Sequence, residues 1–249
     1  MKVFGKEVRT HVREVRSRLG VTLQENVVIE NLNPRENLAV FGRYHLLSGQ
    51  ALIDRIEFMI DYLELRSHAD VPVRALSGGY KRRLSVAMSL MNDPELVILD
   101  EPTTGLDPAV RLALWERIRE LRASGKTVVL TTHYMDEAER LCDRIAIMSE
   151  GRCVMEGVPR DLIAKHLARE AIEFDCSMEE EADFLRPLQA PRAKVRAGRR
   201  LMLYVDDAAS YLDRLHQKDG DHCRPFIVRP ANLEDLFLSV TGTSLEEAE

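Results

Sequence analysis

Apolar positions recur along the chain with two different periods. In "LIDRIEFMIDYLEL", Leu52, Ile56, Met59, Ile60 and Leu63 fall three and four residues apart, which predicts one apolar face of a helix. "NPRENLAVFGRYHLL" carries a helix start of its own, with Asn33 at the N-cap position, Pro34 at the first helical position and Glu36 placed to complete a capping box. Other stretches lack this period. "LGVTLQ" (19–24) reads as a short strand, while "ELVILD" (95–100) and "KTVVLTTH" (126–133) are continuous apolar runs, the pattern of parallel strands buried on both faces. Between those two runs Leu114, Ile118 and Leu121 stripe a helix begun by Asp107-Pro108, so strand, helix and strand alternate as in a parallel α/β sheet.

Further along, "RIAIMSEGRCVMEG" (144–157) predicts a hairpin turning at Glu150-Gly151. From about residue 166 the segments "AIEFDC", "EEEADFLRPL", "RRLMLYVD", "DAASYLDRLHQ", "CRPFIV" and "LEDLFLSV" alternate strand-like and helix-like patterns, as in a small α+β module. The final "SLEEAE" reads as a frayed acidic tail.

With 249 residues, 45% of them hydrophobic, the chain can bury a full-sized core. A net charge of −6 gives no reason to expect a nucleic acid or an acidic membrane as the main partner. The two densest basic runs, Lys81-Arg82-Arg83 and "PRAKVRAGRR" (191–200), read as a solvated helix face or a hairpin. Cys142, Cys153, Cys176 and Cys223 form no C-x-x-C and no histidines cluster at metal-ligand spacing, so neither zinc nor a disulfide framework is indicated, and reduced thiols are the default. No apolar run approaches the ~18–20 residues that cross a bilayer.

Gly125-Lys126-Thr127 matches the end of the phosphate-binding pattern G-x-x-x-x-G-K-[ST], but Glu120 stands where the first glycine belongs. The tripeptide also lies after a helix and before a strand, the reverse of a phosphate loop, and reads as a turn in which Gly125 ends the helix and Lys126 faces its negative end. Stronger candidates lie elsewhere. Ser77, Gly78 and Gly79 open a helical pattern, where a hydroxyl and uncovered backbone N–H groups suit an anion and equally suit a helix cap. In "LVILDEPTTGLDP", Asp100 ends a parallel strand, where open α/β sheets bind ligands, and a hard carboxylate there suits Mg²⁺ held through water. Glu101 is placed to accept a proton from an attacking water. Asp107 has a second reading as the N-cap of the helix at Pro108, and Gln24 and His133, each at a strand end, have a second reading as hydrogen-bonded structure.

In order and spacing, Gln24, Leu76–Gly79, Asp100-Glu101, Asp107 and His133 resemble the Q-loop, signature, Walker B, D-loop and switch histidine of the ATP-binding cassette (ABC) ATPases, a match spanning residues 1 to about 165. Tyr80 departs from the family's commonest glutamine. "RPANLEDLFLSVTG" and "HYMDEAERLCDRIAIMSEGR" resemble the exporter branch that partners an ABC-2-type permease, which includes lipo-oligosaccharide and drug exporters. The resemblance implies an α/β P-loop NTPase-like cassette with a parallel sheet core over 1–165, a helical signature subdomain over 25–92, and an accessory α+β module over 166–249. It also implies two cassettes packed head to tail around ATP. Asp100 and Gln24 would then serve Mg²⁺, Glu101 would polarise water, and His133 would contact the γ-phosphate. Gln24 would report to the permease, Ser77, Gly78 and Gly79 would bind nucleotide at the opposite site, and Asp107 would link the two sites. Such a subunit sits in the cytoplasm, on the inner face of the membrane through its permease.

One family element is not found. The phosphate loop precedes the Q-loop by several tens of residues in this family, whereas only about two dozen precede Gln24, and Gly5-Lys6 is followed by Glu7. The expectation is that the first part of the cassette is missing, that Met1 is not the natural start, and that the chain as written neither binds Mg-ATP tightly nor hydrolyses it. The alternatives are a degenerate cassette lending only its signature to an intact partner, and a soluble ABC ATPase without a transport role.

Overall fold

The computed structural model describes residues 1–179, 181, 191–219 and 227–241, and the chain divides into two compact units, Met1–His133 and Tyr134–Glu249. The first opens with a two-residue hairpin, β1 (Lys2–Val3) and β2 (Lys6–Glu7), and a short helix α1 (Val12–Ser17). Strand β3 (Leu19–Thr22) then leads to helices α2 (Pro34–Tyr44), α3 (Gly49–Tyr62) and α4 (Gly78–Ser89). Strand β4 (Leu96–Asp100), helix α5 (Pro108–Ala123) and strand β5 (Thr127–Thr131) complete the unit.

The predicted local signals are seen at these elements. Asn33 and Glu36 form a reciprocal capping box at the start of α2, which satisfies two otherwise orphan N–H groups. The α3 stripe of Leu52, Ile56, Met59 and Ile60 is buried, as are Leu114, Ile118 and Leu121 of α5. β3, β4 and β5 form a parallel sheet in that order, with Leu19 beside Leu96 and Leu96 beside Thr127. One face is closely packed: Val97 and Leu99 are fully buried, and a Cβ on Gly20 would lie 2.2 Å from the Ser89 carbonyl oxygen, so only glycine lets α4 approach β3 there.

Burial on both sheet faces, as the apolar runs suggest, does not hold here. Strand alternation sends every second residue to the opposite face, where Val21 and Val129 are 43% and 49% exposed and Ile98 between them is half-buried. The solvated-face reading of Lys81-Arg82-Arg83 is also corrected. Arg82 is buried, and Arg83 keeps only 12% of its side-chain surface, packing its guanidinium on the Tyr80 ring and pairing with Glu64.

The second unit runs from α6 (Met135–Leu141) through the hairpin β6 (Ile145–Ser149) and β7 (Arg152–Gly157), whose turn residues Glu150 and Gly151 both have positive φ. Helix α7 (Pro159–His166), strands β8 (Glu170–Asp175), β9 (Ala193–Ala197) and β10 (Arg200–Val205), helix α8 (Ala208–Asp219), strand β11 (Ile227–Pro230) and helix α9 (Leu233–Thr241) follow. "PRAKVRAGRR" proves to be the β9–β10 hairpin. The expectations for most of "EEEADFLRPL", the start of "CRPFIV", Cys223 and the acidic tail fall outside the described residues. Among the described residues no helix is long and apolar enough to cross a membrane.

In the antiparallel sheet, ordered β11-β8-β10-β9, the two central strands β8 and β10 are buried on both faces. Leu201, Leu203 and Val205 share a cluster with Ala208 and Tyr211 of α8, whereas Met202 and Tyr204 pack with Leu162 of α7 and Leu233 and Leu236 of α9. This explains why "RLMLYV" is apolar without alternation.

A charged network is sealed into the α9 side. Arg229 of β11 donates to Glu173 Oε1 at 2.7 Å and grips Asp235 with bonds of 2.7 and 2.8 Å, both carboxylates being 1% exposed. Burial pushes the Glu173 carboxyl up, but hydrogen bonds from Arg200 and Arg229 outweigh it and hold the group below its ordinary value near 4.5. Removing Arg229 strands the buried Asp235 charge and leaves buried Glu173 to Arg200 alone. Arg229→Met is therefore expected to lower stability by about 3–5 kcal/mol in urea unfolding followed by circular dichroism. Because the folded-state value of Glu173 is depressed, its contribution is complete above the unfolded value and fades as pH falls through the folded one. The stability difference between wild type and Glu173→Gln should accordingly shrink as pH drops below about 4.5.

Candidate functional site

Parallel pairing of β4 with β3 and β5 brings three remote segments to one edge of the sheet: Gln24 just past β3, Asp100 and Glu101 at the end of β4, and His133 just past β5. The carboxylates sit in a shell of hydroxyl donors. Thr131 Oγ1 donates to Asp100 Oδ1, which fixes that carboxylate against the neighbouring strand. Thr104 Oγ1 donates to Glu101 Oε2 at 2.9 Å, and His133 Nδ1 lies 2.8 Å from the same oxygen. Two groups thus hold one oxygen of Glu101, which fixes the direction in which the other can act.

The backbone at Glu101 is unusual. Its φ is +48°, the left-handed region that costs an L-residue with a side chain roughly 1–2 kcal/mol. Its N–H donates to both Thr131 O (3.1 Å) and Thr131 Oγ1 (3.2 Å), so the strained conformation is held from β5. Strain of this kind concentrates where a side chain must be aimed against the run of its strand.

Ser77 and Gly78 are exposed at the N-terminus of α4, with Ser77 at the N-cap position and no side-chain cap bond. Gly79 lies against α5: a Cβ there would meet Val110 Cγ1 at 3.3 Å and Leu106 Cδ2 at 4.0 Å. The glycine pair therefore sits beside the start of α5, where Asp107 occupies the N-cap position, exposed and without a side-chain cap bond. The Tyr80 ring turns back onto the helical region, 4.1 Å from the His68 ring and with its hydroxyl 3.2 Å from Ser67 Oγ. Gly125-Lys126-Thr127 is a helix-to-strand turn. Gly125 has φ +87°, Gly125 N–H donates to Arg122 O and Lys126 N–H to Leu121 O, a Schellman closure of α5, and Lys126 Nζ reaches Asp93 and Pro94 O.

The donor set fits the cofactor chemistry expected at such a strand end. A hard, oriented carboxylate at Asp100 beside a second acid at Glu101 suits a magnesium–phosphate ligand that keeps most of its water. Thr104 and Thr131 were not singled out from the sequence. Their signal was the hydroxyl residues flanking the acids and the histidine, "EPTT" and "TTH".

Comparison with known proteins agrees with this geometry. The family model described as ABC transporter matches residues 1–104, and that of the C-terminal domain of nodulation factor export protein NodI matches 182–242. The Nod factor export ATP-binding protein I of Cupriavidus metallidurans is 42% identical over 248 residues, 99% of this chain and 80% of that protein. Its counterpart from Sinorhizobium fredii is 43% identical over 245 residues, 98% of this chain and 70% of that protein. Among solved structures, an ATP-binding subunit of an ABC transporter matches with TM-score 0.59 and 27% identity, covering 66% of this chain and 68% of that one. A dimeric ATP-binding cassette in a post-hydrolysis state with ADP and Pi matches with TM-score 0.56 and 25% identity, covering 64% and 70%. The fold is that of the ABC ATPase cassettes, a family that binds ATP. This chain belongs to the ATP-binding subunits of ABC transporters, in the NodI-like exporter family.

The strain at residue 101 can be measured directly. Glu101→Ala and Glu101→Gly both remove the carboxylate, but only glycine adopts φ +48° without penalty. The glycine variant is expected to be more stable than the alanine variant by about 1 kcal/mol in urea unfolding, read from the fluorescence of Trp115, the one tryptophan.

Proposed function

We propose that the chain is the ATP-binding and ATP-hydrolysing subunit of a membrane exporter. The observation that carries this reading is the Asp100, Glu101 and His133 constellation at the ends of β4 and β5, with Glu101 Oε2 held by Thr104 and His133. In it Glu101 accepts the proton of the hydrolytic water, His133 orients Glu101 and contacts the γ-phosphate, and Asp100 with Gln24 holds Mg²⁺. The bound ion would neutralise charge on the phosphates during transfer. Ser77 and Gly78, exposed at the start of α4, and Gly79 next to them serve the nucleotide of a second cassette packed head to tail, with Asp107 linking the two sites.

Support for export comes from the relatives, named for Nod factor export, and from the NodI C-terminal match. On this reading the partner is an ABC-2-type permease, cargo contacts the permease, and the subunit works in the cytoplasm on the inner membrane face. We assign the cassette to residues 1–165, with its helical subdomain at 25–92, and an accessory module to 166–249.

The 249 residues contain no G-x-x-x-x-G-K-[ST]. Such a loop supplies several charge-assisted hydrogen bonds, each worth about 1.5–3 kcal/mol, and losing three weakens binding by at least ~10³-fold. The expected result for the purified chain is no Mg-ATP turnover. Turnover that Glu101→Gln abolishes would overturn that expectation. Mixed with an intact ABC cassette and Mg-ATP, the chain should co-elute as a dimer, and Ser77→Arg should prevent this; separate elution of the unsubstituted chain counts against the head-to-tail reading.

A further inference from the structure

Arg82 lies on α4, five residues past Ser77, and is 3% exposed. Its guanidinium spreads over five backbone carbonyls from two remote loops. Nη1 donates to Leu23 O (2.5 Å) and Gln24 O (3.0 Å), at the turn that leaves β3. Nη2 donates to Asp100 O (2.6 Å) and Glu101 O (2.9 Å), and Nε to Pro102 O (2.8 Å), at the turn that leaves β4.

We propose that Arg82 is a positioning residue that ties the Gln24 turn and the Asp100–Pro102 turn to the signature helix as one body, and thereby sets the direction of the Glu101 carboxylate. Glu101 is held at both ends of its own peptide units: Thr131 takes its N–H and Arg82 takes its C=O. Between them the two contacts over-determine a backbone conformation that is unfavourable by itself. The planar fork suits this task because its donors point in fixed, divergent directions, whereas a lysine ammonium is a compact point charge that cannot span both turns. Through these five carbonyl contacts Arg82 fixes the path of the chain itself at 23–24 and 100–102. A displacement of the Gln24 turn is passed to Glu101 through one rigid group.

The significance for hydrolysis rests on Glu101 acting as the water-polarising carboxylate. The test of the geometry involves no nucleotide, so it stands or falls separately from that assignment. Uniformly ¹⁵N-labelled full chain, Arg82→Met, Arg82→Lys and, as a control on the same helix, Leu84→Ala would be compared by amide hydrogen exchange at Glu101 and by the imidazole ¹⁵N signals of His133, whose Nδ1 meets Glu101 Oε2. The expected result is exchange at Glu101 about tenfold faster or more in both Arg82 variants, with the His133 ring signals moved toward those of Glu101→Gln. Leu84→Ala removes a fully buried side chain and lowers global stability, yet should leave the His133 signals in place. Unchanged Glu101 exchange and His133 signals in a folded Arg82 variant would overturn the proposal, as would equal movement of those signals in Leu84→Ala. Should Arg82→Met fail to fold, Arg82→Lys, which keeps charge and stem, carries the same comparison.

Discussion

The site depends on how the chain leaves β4. A strand sends successive side chains to opposite faces, so an acid placed one residue after Asp100 in continued extended geometry would point away from it. The left-handed turn at Glu101 breaks that alternation and brings the second carboxylate back to the strand end, within reach of Thr104 and His133. The conformation is unfavourable by roughly 1–2 kcal/mol, while each backbone hydrogen bond at Glu101 contributes about 0.5–1.5 kcal/mol net, and those to a guanidinium more. The balance is close, so the turn persists because β5 and α4 are both in place. This is why a parallel sheet serves the chemistry: it delivers segments around residues 24, 101 and 133 to one edge with fixed spacing.

The two units solve burial differently. In the second, both faces of the antiparallel sheet are covered by helices, and the charges that remain inside are matched, with Arg229 between Glu173 and Asp235. Two acids and one fully engaged guanidinium, further balanced at Glu173 by Arg200, leave little uncompensated charge. In the first unit the packed face of the sheet, through Val97 and Leu99, carries the stability, while Val21 and Val129 stay accessible on the other. β4 is therefore anchored by one face and by pairing on both edges, which suffices to hold its end rigid.

Much of this was legible in the sequence, because the signals were local. The capping box at Asn33 and Glu36 lies within four residues, the α3 stripe within one helix, and the order of Gln24, Ser77, Asp100, Asp107 and His133 needs no contact to be read. Most of the illegible parts were made by partners distant in sequence. Arg82 sits in a run of three basic residues, which by composition reads as a solvated face. Its burial follows from carbonyls contributed 18 to 59 positions away, invisible to any pattern of side chains. Glu173 reads as a polar residue on a half-exposed strand until Arg229, 56 positions later, is known to lie over it. The hydroxyls of Thr104 and Thr131 were in plain view beside the acids; Thr104 meets Glu101 across a local turn, whereas Thr131 reaches Asp100 only because β4 pairs with β5.

Gly125-Lys126-Thr127 shows the same division from the other side. The tripeptide has the residues of a phosphate loop, yet what a glycine and a lysine do is set by the elements they join. After a strand and before a helix, the backbone N–H groups of such a turn point outward together and collect an anion. After α5 and before β5 the same groups turn inward: the Gly125 and Lys126 N–H groups close the carbonyl end of the helix, and the lysine charge goes to Asp93 and Pro94 O, next to the start of β4. Lys126 therefore serves the site only at a distance, by fixing the entry to the strand whose far end carries Asp100 and Glu101. Chemistry at this fold's edge is decided by the direction in which backbone donors and acceptors face: Arg82 and Gly125 each settle where a set of main-chain groups points, and the placement of the reactive side chains follows from it.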